Sequence, residues 1–269
     1  MNTIPIFDCL THPSISGEWI KGAPAYDSSL KTLSDEMKIN NVKWGFAVGM
    51  KGVGNYSEEK YVFFIKKKAP QLFPVAFIDV NKLSSSAKIN SYLKKLKKLG
   101  YSGIKLHPRL GDFNLTDKKL PALIKSANDL QLTVLLCTYF YSNVSGSYKN
   151  SVESLAMMME RIRNEKIILL HSGSVRLMEV AEIARSFKET LLDLSFTLVK
   201  YEGSSLDADI KFLFRNFDQR ICIGSDFPEF SLSKLRERFN FFSNGVEKNK
   251  LENIAFKNVL NFAGIKPIT

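Results

Sequence analysis

The chain of 269 residues has little cysteine and little histidine, and it lacks any long apolar run. Its three cysteines, Cys9, Cys137 and Cys222, are far apart and form no CxxC pair, which argues against a disulfide framework. No stretch approaches the ~18 to 20 consecutive apolar residues that span a bilayer, and the first residues show no basic segment followed by an apolar one. We therefore expect a reduced, cytoplasmic protein with no membrane partner and no signal peptide.

Acidic residues are also comparatively few, with 27 against 38 basic residues and a net charge of +11. Such a balance suits nucleic acid or anionic surfaces as partners. The lysines at 66–68, 94–95 and 97–98, however, fall on predicted outer helices whose apolar residues keep a helical spacing. This pattern indicates solvated helix faces. We therefore rank nucleic-acid binding last and expect a small-molecule substrate.

Short apolar runs rich in β-branched and aliphatic residues recur along the chain, and amphipathic segments separate them. Such runs are typical of strands buried on both faces, as in a parallel sheet. Eight of them begin near Ile4, Lys43, Phe73, Ser102, Leu132, Lys166, Thr190 and Arg220. This alternation predicts an α/β fold, namely a TIM barrel, (β/α)8, with eight parallel strands. We expect it to form a single domain over residues 1–269, since this length is close to the ~250 residues typical of the fold. An open doubly wound sheet is the alternative, although no strand is followed by GxGxxG or GxxxxGK(S/T).

The segments between the strands predict helices at 57–68, 85–99, 116–130, 151–164, 175–187, 207–217, 231–242 and 250–263. Ser57 and the glutamates after it suit the start of the first helix, and Gly100 suits the end of the second. Thr116 is the predicted cap of the third helix, although Pro121 falls in its second turn and favours a later start of regular helix.

Polar residues gather where the predicted strands end, which is where a (β/α)8 barrel carries its active site. Alternation places Asp8, Leu10 and His12 on one face of strand one. The other strand-end residues are Lys105 and His107 (strand four), Cys137 (five), His171 (six), Asp193 and Ser195 (seven) and Asp226 (eight). All three histidines of the chain therefore lie at strand ends, which favours a common site over three separate structural histidines.

Together these strand ends resemble the amidohydrolase superfamily, specifically its amidohydrolase-related (amidohydrolase 2) branch of metal-dependent hydrolases and decarboxylases. The resemblance spans nearly the whole chain. Its motifs are DxxxH at 8–12, GIKLHP at 103–108, LHSG at 170–173, LDLS at 192–195, GSDFP at 224–228 and ENIAFKN at 252–258. Their order and spacing are more specific for the fold and the superfamily than for one activity.

The resemblance implies a mononuclear divalent metal, often zinc. It would be held by two histidines of an HxH on strand one, a histidine that ends strand five and an aspartate that ends strand eight. Carried over, His12 matches the second histidine, Asp226 the aspartate, and His171 a strand-six histidine that assists catalysis. Leu10 and Cys137 replace the other two histidines; leucine binds no metal, whereas a thiolate is a competent zinc ligand. The implied metal ligands are therefore His12, Cys137 and Asp226.

Cationic side chains near the predicted mouth indicate an anionic substrate. We expect Lys105 and Arg109 to hold a carboxylate or phosphate, and we assign His107 and Tyr139 to substrate binding as well. The alternatives are an interior ion pair for Lys105 and a solvated loop position for Arg109.

Two loops are expected over the mouth: 13–26, which carries Trp19, Lys21 and Tyr26, and the aromatic segment 138–149. Loops of this kind often cover a substrate. They could equally form a packing cap or the contact of a homodimer, a state common for such barrels.

The resemblance implies a hydrolase of a lactone, amide or ester, or a decarboxylase, that acts on a small organic anion. His171 and Asp226 are the implied catalytic residues, working on water with or without a divalent metal. The alternative, motivated by Leu10 and Cys137, is a barrel that has lost catalysis and binds a ligand or a protein partner.

Overall fold

The computed structural model describes residues 3–20, 26–141 and 150–266. Eight parallel strands form a nearly closed barrel in which each strand pairs with the next along the chain. The strands are β1 (Ile6–Thr11), β2 (Val42–Val48), β3 (Leu72–Phe77), β4 (Gly103–Leu106), β5 (Thr133–Cys137), β6 (Ile167–Leu170), β7 (Thr190–Asp193) and β8 (Ile221–Cys222). At the seam, the backbone N–H of Cys9 donates to Ile223 at 3.0 Å, and that of Asp226 to Leu10 at 2.9 Å. The predicted barrel is confirmed.

Helices cover the outside of the barrel. They are α1 (Leu30–Ile39), α2 (Glu58–Lys68), α3 (Ser86–Leu99), α4 (Pro108–Gly111), α5 (Leu120–Asp129), α6 (Val152–Arg161), α7 (Leu177–Ser186), α8 (Thr197–Lys200), α9 (Leu206–Asn216), α10 (Leu232–Ser243), α11 (Lys248–Glu252) and α12 (Asn258–Ala263). The π-helical turn Asn253–Lys257 joins the last two. No helix in the described ranges is both long and apolar enough to cross a membrane.

Serine side chains begin several of these helices. Ser57, Ser85, Ser151 and Ser231 each accept a hydrogen bond from the backbone N–H three residues on, which satisfies a donor that the first turn leaves unpaired. Gly100 ends α3 with φ of 98°, a conformation that glycine adopts without steric cost. The predicted bounds of α2 and α3 are thus confirmed to within one residue.

One predicted cap needs correction, and one helix was not predicted. Thr116 does not cap α5, which begins at Leu120 with Pro121 in its first turn, so the later start that Pro121 favours is confirmed. Proline has no N–H to donate and a fixed φ, so it fits the first turn of a helix and not its interior. Helix α1 has no counterpart among the predicted helices, although Ser29 caps it through the backbone N–H of Thr32.

Strand β1 also departs from simple alternation. A bulge between Asp8 and Thr11 shifts its register against β2, so Phe7 and Leu10 both lie in the apolar cluster inside the barrel. Asp8 turns to the loop after β8, where it accepts from the backbone N–H of Ser225 at 2.8 Å and from its Oγ at 2.6 Å. The prediction that Asp8 shares a face with Leu10 and His12 is therefore wrong.

The barrel interior changes character along its axis. Apolar side chains fill its lower part, and Trp44, Phe73 and Phe256 pack against this cluster. Buried polar side chains take over at the carboxyl ends of the strands: His12, Lys105, His107, Thr138, His171, Asp193, Ser195 and Asp226. The fold therefore concentrates buried polar groups at one end of an otherwise apolar barrel.

Candidate active site

The ring of His12, just beyond β1, lies between two charged side chains. Its Nδ1 is 3.0 Å from the carbonyl oxygen of Val48, which only accepts, so Nδ1 carries the proton. Its Nε2 lies 3.1 Å from Nζ of Lys105 and 3.6 Å from Oδ1 of Asp226. A lysine ammonium only donates, so Lys105 donates to the free lone pair of Nε2.

Burial and neighbouring charge set the protonation of this group. Burial, aided by the charge of Lys105, lowers the pKa of His12 to about 4, so the ring is neutral at pH 7. Burial acts to raise the pKa of Asp226, but its contact with His12 and the positive charges of His171 and Lys105 outweigh burial and hold that pKa well below its usual value. Burial lowers the pKa of Lys105, and the Asp226 carboxylate opposes this. Asp226 is therefore a buried carboxylate between cationic groups.

A second group centres on the thiol of Cys137, the last residue of β5. The side chains of His107 and His171 lie close enough to act on it electrostatically. Burial acts to raise the pKa of Cys137, but the two histidines outweigh it and hold the pKa well below its usual value. Burial acts to lower the pKa of His171, but Cys137 and then Asp226 raise it to about 9. Cys137 and His171 therefore each favour the charged form of the other.

The far side of the His171 ring is held by the segment that follows β7. Nδ1 of His171 lies 3.1 Å from the carbonyl oxygen of Ser195 and 3.3 Å from its Oγ, and the same hydroxyl donates to Oδ2 of Asp193. Oδ1 of Asp193 is buried without a hydrogen-bond partner. Burial raises the pKa of Asp193 to about 6. Hydrogen bonding thus fixes which ring nitrogen of His171 faces the mouth.

The backbone around His171 is in an uncommon conformation. φ is positive at His171 (64°), Ser172 (45°) and Ser174 (55°), which is costly for residues with a Cβ. Thr138 pins the turn, since its Oγ1 donates to the carbonyl of Leu170 at 2.6 Å and accepts from the N–H of Gly173 at 2.9 Å. A strained backbone of this kind persists only where the surrounding contacts hold it in place. Such strain is found most often at functional sites.

Aromatic rings and one arginine surround these groups. The guanidinium of Arg109 lies 4.7 Å from the ring centre of Tyr139, and its Nε is buried without a hydrogen-bond partner. The ring of Trp19 lies 5.3 Å from that of His12, and Phe196 packs edge-on against His171 at 5.6 Å. Arg109 is thus a cation at the rim with hydrogen-bonding capacity to spare.

The structure brings together most of the residues that the sequence predicted for the site. Lys105 contacts His12, and His107 and His171 lie close enough to Cys137 for their charges to act on it. Sequence reasoning noted Ser195 and Asp193 at the end of strand seven but gave them no role. The signal was present, because the spacing Asp-x-Ser places both side chains on one face of an extended chain. The predicted loop residue Lys21 and the segment 142–149 lie outside the described residues.

The resemblance to the amidohydrolase superfamily implies a metal, and a metal needs several ligand atoms close together. In the described residues, Cys9, Asp193 and Cys222 are the one group of three potential ligand atoms that lie within 4.8 Å of each other. The implied set of His12, Cys137 and Asp226 does not meet that distance. The Nε2 lone pair of His12 already accepts from the Lys105 ammonium. A buried cation in this place repels a second one, so this arrangement does not fit the implied zinc.

No protein-family model and no curated protein matches the chain. Solved structures do. An uncharacterized TIM-barrel protein from Bordetella bronchiseptica is 18% identical with a TM-score of 0.79, covering 97% of this chain and 99% of its own. A putative 2-pyrone-4,6-dicarboxylic acid hydrolase from Pseudomonas putida is 15% identical with a TM-score of 0.73, covering 99% of this chain and 100% of its own. The 5-carboxyvanillate decarboxylase of Sphingomonas paucimobilis is 9% identical with a TM-score of 0.70, covering 98% and 100%.

The structural neighbours thus include hydrolases and decarboxylases of the amidohydrolase 2 branch, in agreement with the resemblance seen in the sequence. At these identities the likeness shows a shared fold over nearly the whole chain. The reaction has to be argued from the site itself.

Proposed function

We propose that this chain is an amidohydrolase-related hydrolase that cleaves the C–O or C–N bond of a small lactone, ester or amide bearing a carboxylate. The observation that carries the proposal is the buried cluster at the strand ends. It holds a carboxylate at Asp226, an ammonium at Lys105 and a protonated imidazole at His171 within one buried barrel mouth. Separately stabilised proton donors and acceptors at one site are what hydrolysis requires.

Each group has a role that follows from its contacts. Lys105 carries a positive charge inside the barrel and stabilises the negative charge that develops on a carbonyl oxygen during attack. His171 donates a proton to the leaving group and then accepts one from water. Asp226 keeps His171 charged and orients water. Arg109, at the rim, pairs with the carboxylate of the substrate, where a planar guanidinium suits two oxygens.

None of these roles requires a metal ion. The resemblance implied zinc on His12, Cys137 and Asp226, but the ammonium of Lys105 lies against the nitrogen that zinc would take. The positive charge that a metal would supply to the carbonyl oxygen comes here from that ammonium. The alternative of a barrel that only binds a ligand is not favoured, because a mere binding site needs no charged His171 ring held in one orientation beside the carboxylates of Asp193 and Asp226.

A panel of carboxylate-bearing lactones, aryl esters and amides tests the proposal with the purified protein. We expect turnover of at least one class, and a loss of about 100-fold or more in kcat for His171→Ala and for Asp226→Asn. Asp35→Asn, on the exposed surface of α1, is the control for removal of one carboxylate and should match the wild type. Activity retained in both site variants, or no turnover of any panel member, would contradict the proposal. Release of carbon dioxide instead of hydrolysis products would reassign the site to decarboxylation.

A further inference from the structure

We propose that Cys9, Asp193 and Cys222 bind one zinc ion inside the barrel, where β7, β8 and β1 lie side by side. The two thiolate sulfurs and one carboxylate oxygen of Asp193 are the ligands, and we call these three residues the seam site. The proposal is independent of the hydrolase function, since the three residues take no part in the proton transfers assigned above. It also differs from the implied zinc site of His12, Cys137 and Asp226.

The three ligand groups converge because their strands are neighbours. Asp193 of β7 is the register partner of Cys222 in β8, and the backbone N–H of Cys9 in β1 donates to the carbonyl oxygen of Ile223 at 3.0 Å. The two sulfurs and a carboxylate oxygen of Asp193 all lie within 4.8 Å of one another. Ligand atoms around a tetrahedral zinc ion, at bond lengths of about 2.0 to 2.3 Å, lie roughly 3.3 to 3.8 Å apart. Small side-chain movements therefore suffice to close the set around one ion.

An unpaired oxygen of Asp193 points to a cation at this place. The side chain is wholly buried, and its Oδ2 accepts from the Ser195 hydroxyl, whereas Oδ1 has no hydrogen-bond partner among the described residues. Leaving a buried carboxylate oxygen unpaired costs free energy, and buried charges are normally paired or bound to a metal. A zinc ion at Oδ1 satisfies this atom and leaves Oδ2 to Ser195.

The chemistry of the three groups favours zinc among the common divalent ions. Thiolate sulfur is a soft ligand that suits zinc, whereas Mg²⁺ and Ca²⁺ take oxygen ligands. Zinc also accepts a carboxylate in a mixed set. Each thiol loses its proton to solvent when its Zn–S bond forms. Two thiolates and one carboxylate exceed the charge of the ion by one negative charge, and the protonated His171, whose charge acts on Asp193, offsets this excess.

A comparison with the third cysteine supports this position. The charged side chains that act on Cys9 are the carboxyl groups of Asp193 and Asp8, so the surroundings attract a cation. Cys137 lies on β5, close enough to the buried ammonium of Lys105 for the two groups to interact. That ammonium repels a metal ion. Of the two places that hold buried cysteine, the seam site is therefore the one suited to a cation.

An ion at the seam site would tie together the strands that close the barrel. β8 comprises only Ile221–Cys222 and is the shortest of the eight strands. Ligands on β7, β8 and β1 link it to both of its neighbours, and structural zinc ions contribute directly to folding free energy. All three side chains are wholly buried, so we expect the ion to enter during folding. Dialysis of the folded protein against a chelator should then leave it in place.

Zinc content after refolding tests the proposal on the full-length protein. The chain is unfolded in guanidinium chloride with a chelator and a phosphine reductant, refolded with zinc chloride, and freed of loose zinc by gel filtration. We expect about one zinc per chain in the wild type and less than about 0.2 in Cys9→Ala and Cys222→Ala. Cys137→Ala is the matched control, because it also removes one buried thiol but should keep the zinc.

Two further measurements need no variant, so they do not depend on how a variant folds. The thermal midpoint of the wild type refolded with zinc should exceed that of the metal-free wild type by about 5 °C or more. Refolding with Co²⁺ should give the charge-transfer absorbance of two thiolates per ion, calibrated on cobalt complexes with one and with two thiolates. The seam site supplies two thiolates, whereas the implied site supplies only that of Cys137.

Four results would overturn the proposal. The first is wild-type protein that refolds with zinc present but retains less than about 0.2 zinc per chain. The second is zinc that is lost in Cys137→Ala but kept in Cys222→Ala, which would place the ion at the implied site. The third is cobalt absorbance that matches a single thiolate, and the fourth is a thermal midpoint that zinc does not raise.

Discussion

Replacing Asp8 with asparagine tests how strongly this barrel penalises a buried charge. Asp8 is fully buried and accepts three hydrogen bonds, two from Ser225 and one from the N–H of Leu10 at 3.2 Å. Burial nevertheless outweighs these bonds and raises the pKa of Asp8 from 3.8 to about 7. The folded protein therefore keeps this carboxyl protonated over a pH range in which the unfolded chain ionises it.

The sign and size of the effect follow from linkage. Because the pKa of Asp8 is raised in the folded state, its contribution to stability is full below pH 3.8 and is lost as the pH rises to about 7. About three pH units separate the two values, and each is worth about 1.4 kcal/mol, so the loss is about 4 kcal/mol. Asp8→Asn stays uncharged, so the free energy of unfolding of the wild type relative to it should fall by about 4 kcal/mol between pH 4 and pH 7.5.

Urea unfolding of both proteins at pH 4, 5.5 and 7.5 measures this difference, and groups common to both proteins cancel. Asp35→Asn is the control, because this exposed carboxylate is paired only with Lys31 on the surface. Its relative stability should change by less than about 1 kcal/mol over the same range. If the free energy of unfolding of the wild type instead rises with pH relative to that of Asp8→Asn, the three hydrogen bonds outweigh burial and this prediction is wrong.

Three further predictions concern the site and its support. Ser195→Ala removes the hydroxyl between Asp193 and His171, so kcat should fall about 10- to 100-fold with KM little changed and the pH–rate profile displaced; an unmoved profile would contradict its positioning role. Arg109→Met should raise KM for carboxylate-bearing substrates about 10- to 100-fold but leave turnover of an uncharged ester unchanged; equal losses for both substrates would contradict pairing with the carboxylate. Arg238→Met removes a buried guanidinium that pairs with the partly exposed Asp207 and donates to the carbonyl oxygen of Leu198, so urea unfolding should show a loss of about 1 to 3 kcal/mol, whereas an unchanged stability would contradict that role.

The barrel could be predicted from the sequence because its signals are local. Buried strands appear as short apolar runs, and caps such as Ser57 and Ser151 mark where helices begin. The bulge in β1 could not be predicted, because it depends on how Asp8 and Thr11 pair with β2. The one-residue shift that moves Asp8 away from His12 is a tertiary effect.

The sequence predicts which residues lie at the site, but it does not predict how their side chains contact one another. Histidines at strand ends could be located by counting along the chain, and they do converge at the mouth. The orientation of the His107 and His171 rings depends on the backbone groups of Leu110 and Ser195, which folding brings alongside. The contact between the Lys105 ammonium and His12 also depends on folding. It places a positive charge where the implied metal would bind.

Metal-free hydrolysis at this site is tested most directly by dialysing the wild-type protein against a chelator and measuring turnover of the lactone and ester panel with and without added zinc. Turnover should survive chelation, gain nothing from zinc and disappear in His171→Ala. Turnover that vanishes on chelation and returns with zinc, or that persists in His171→Ala, would contradict it.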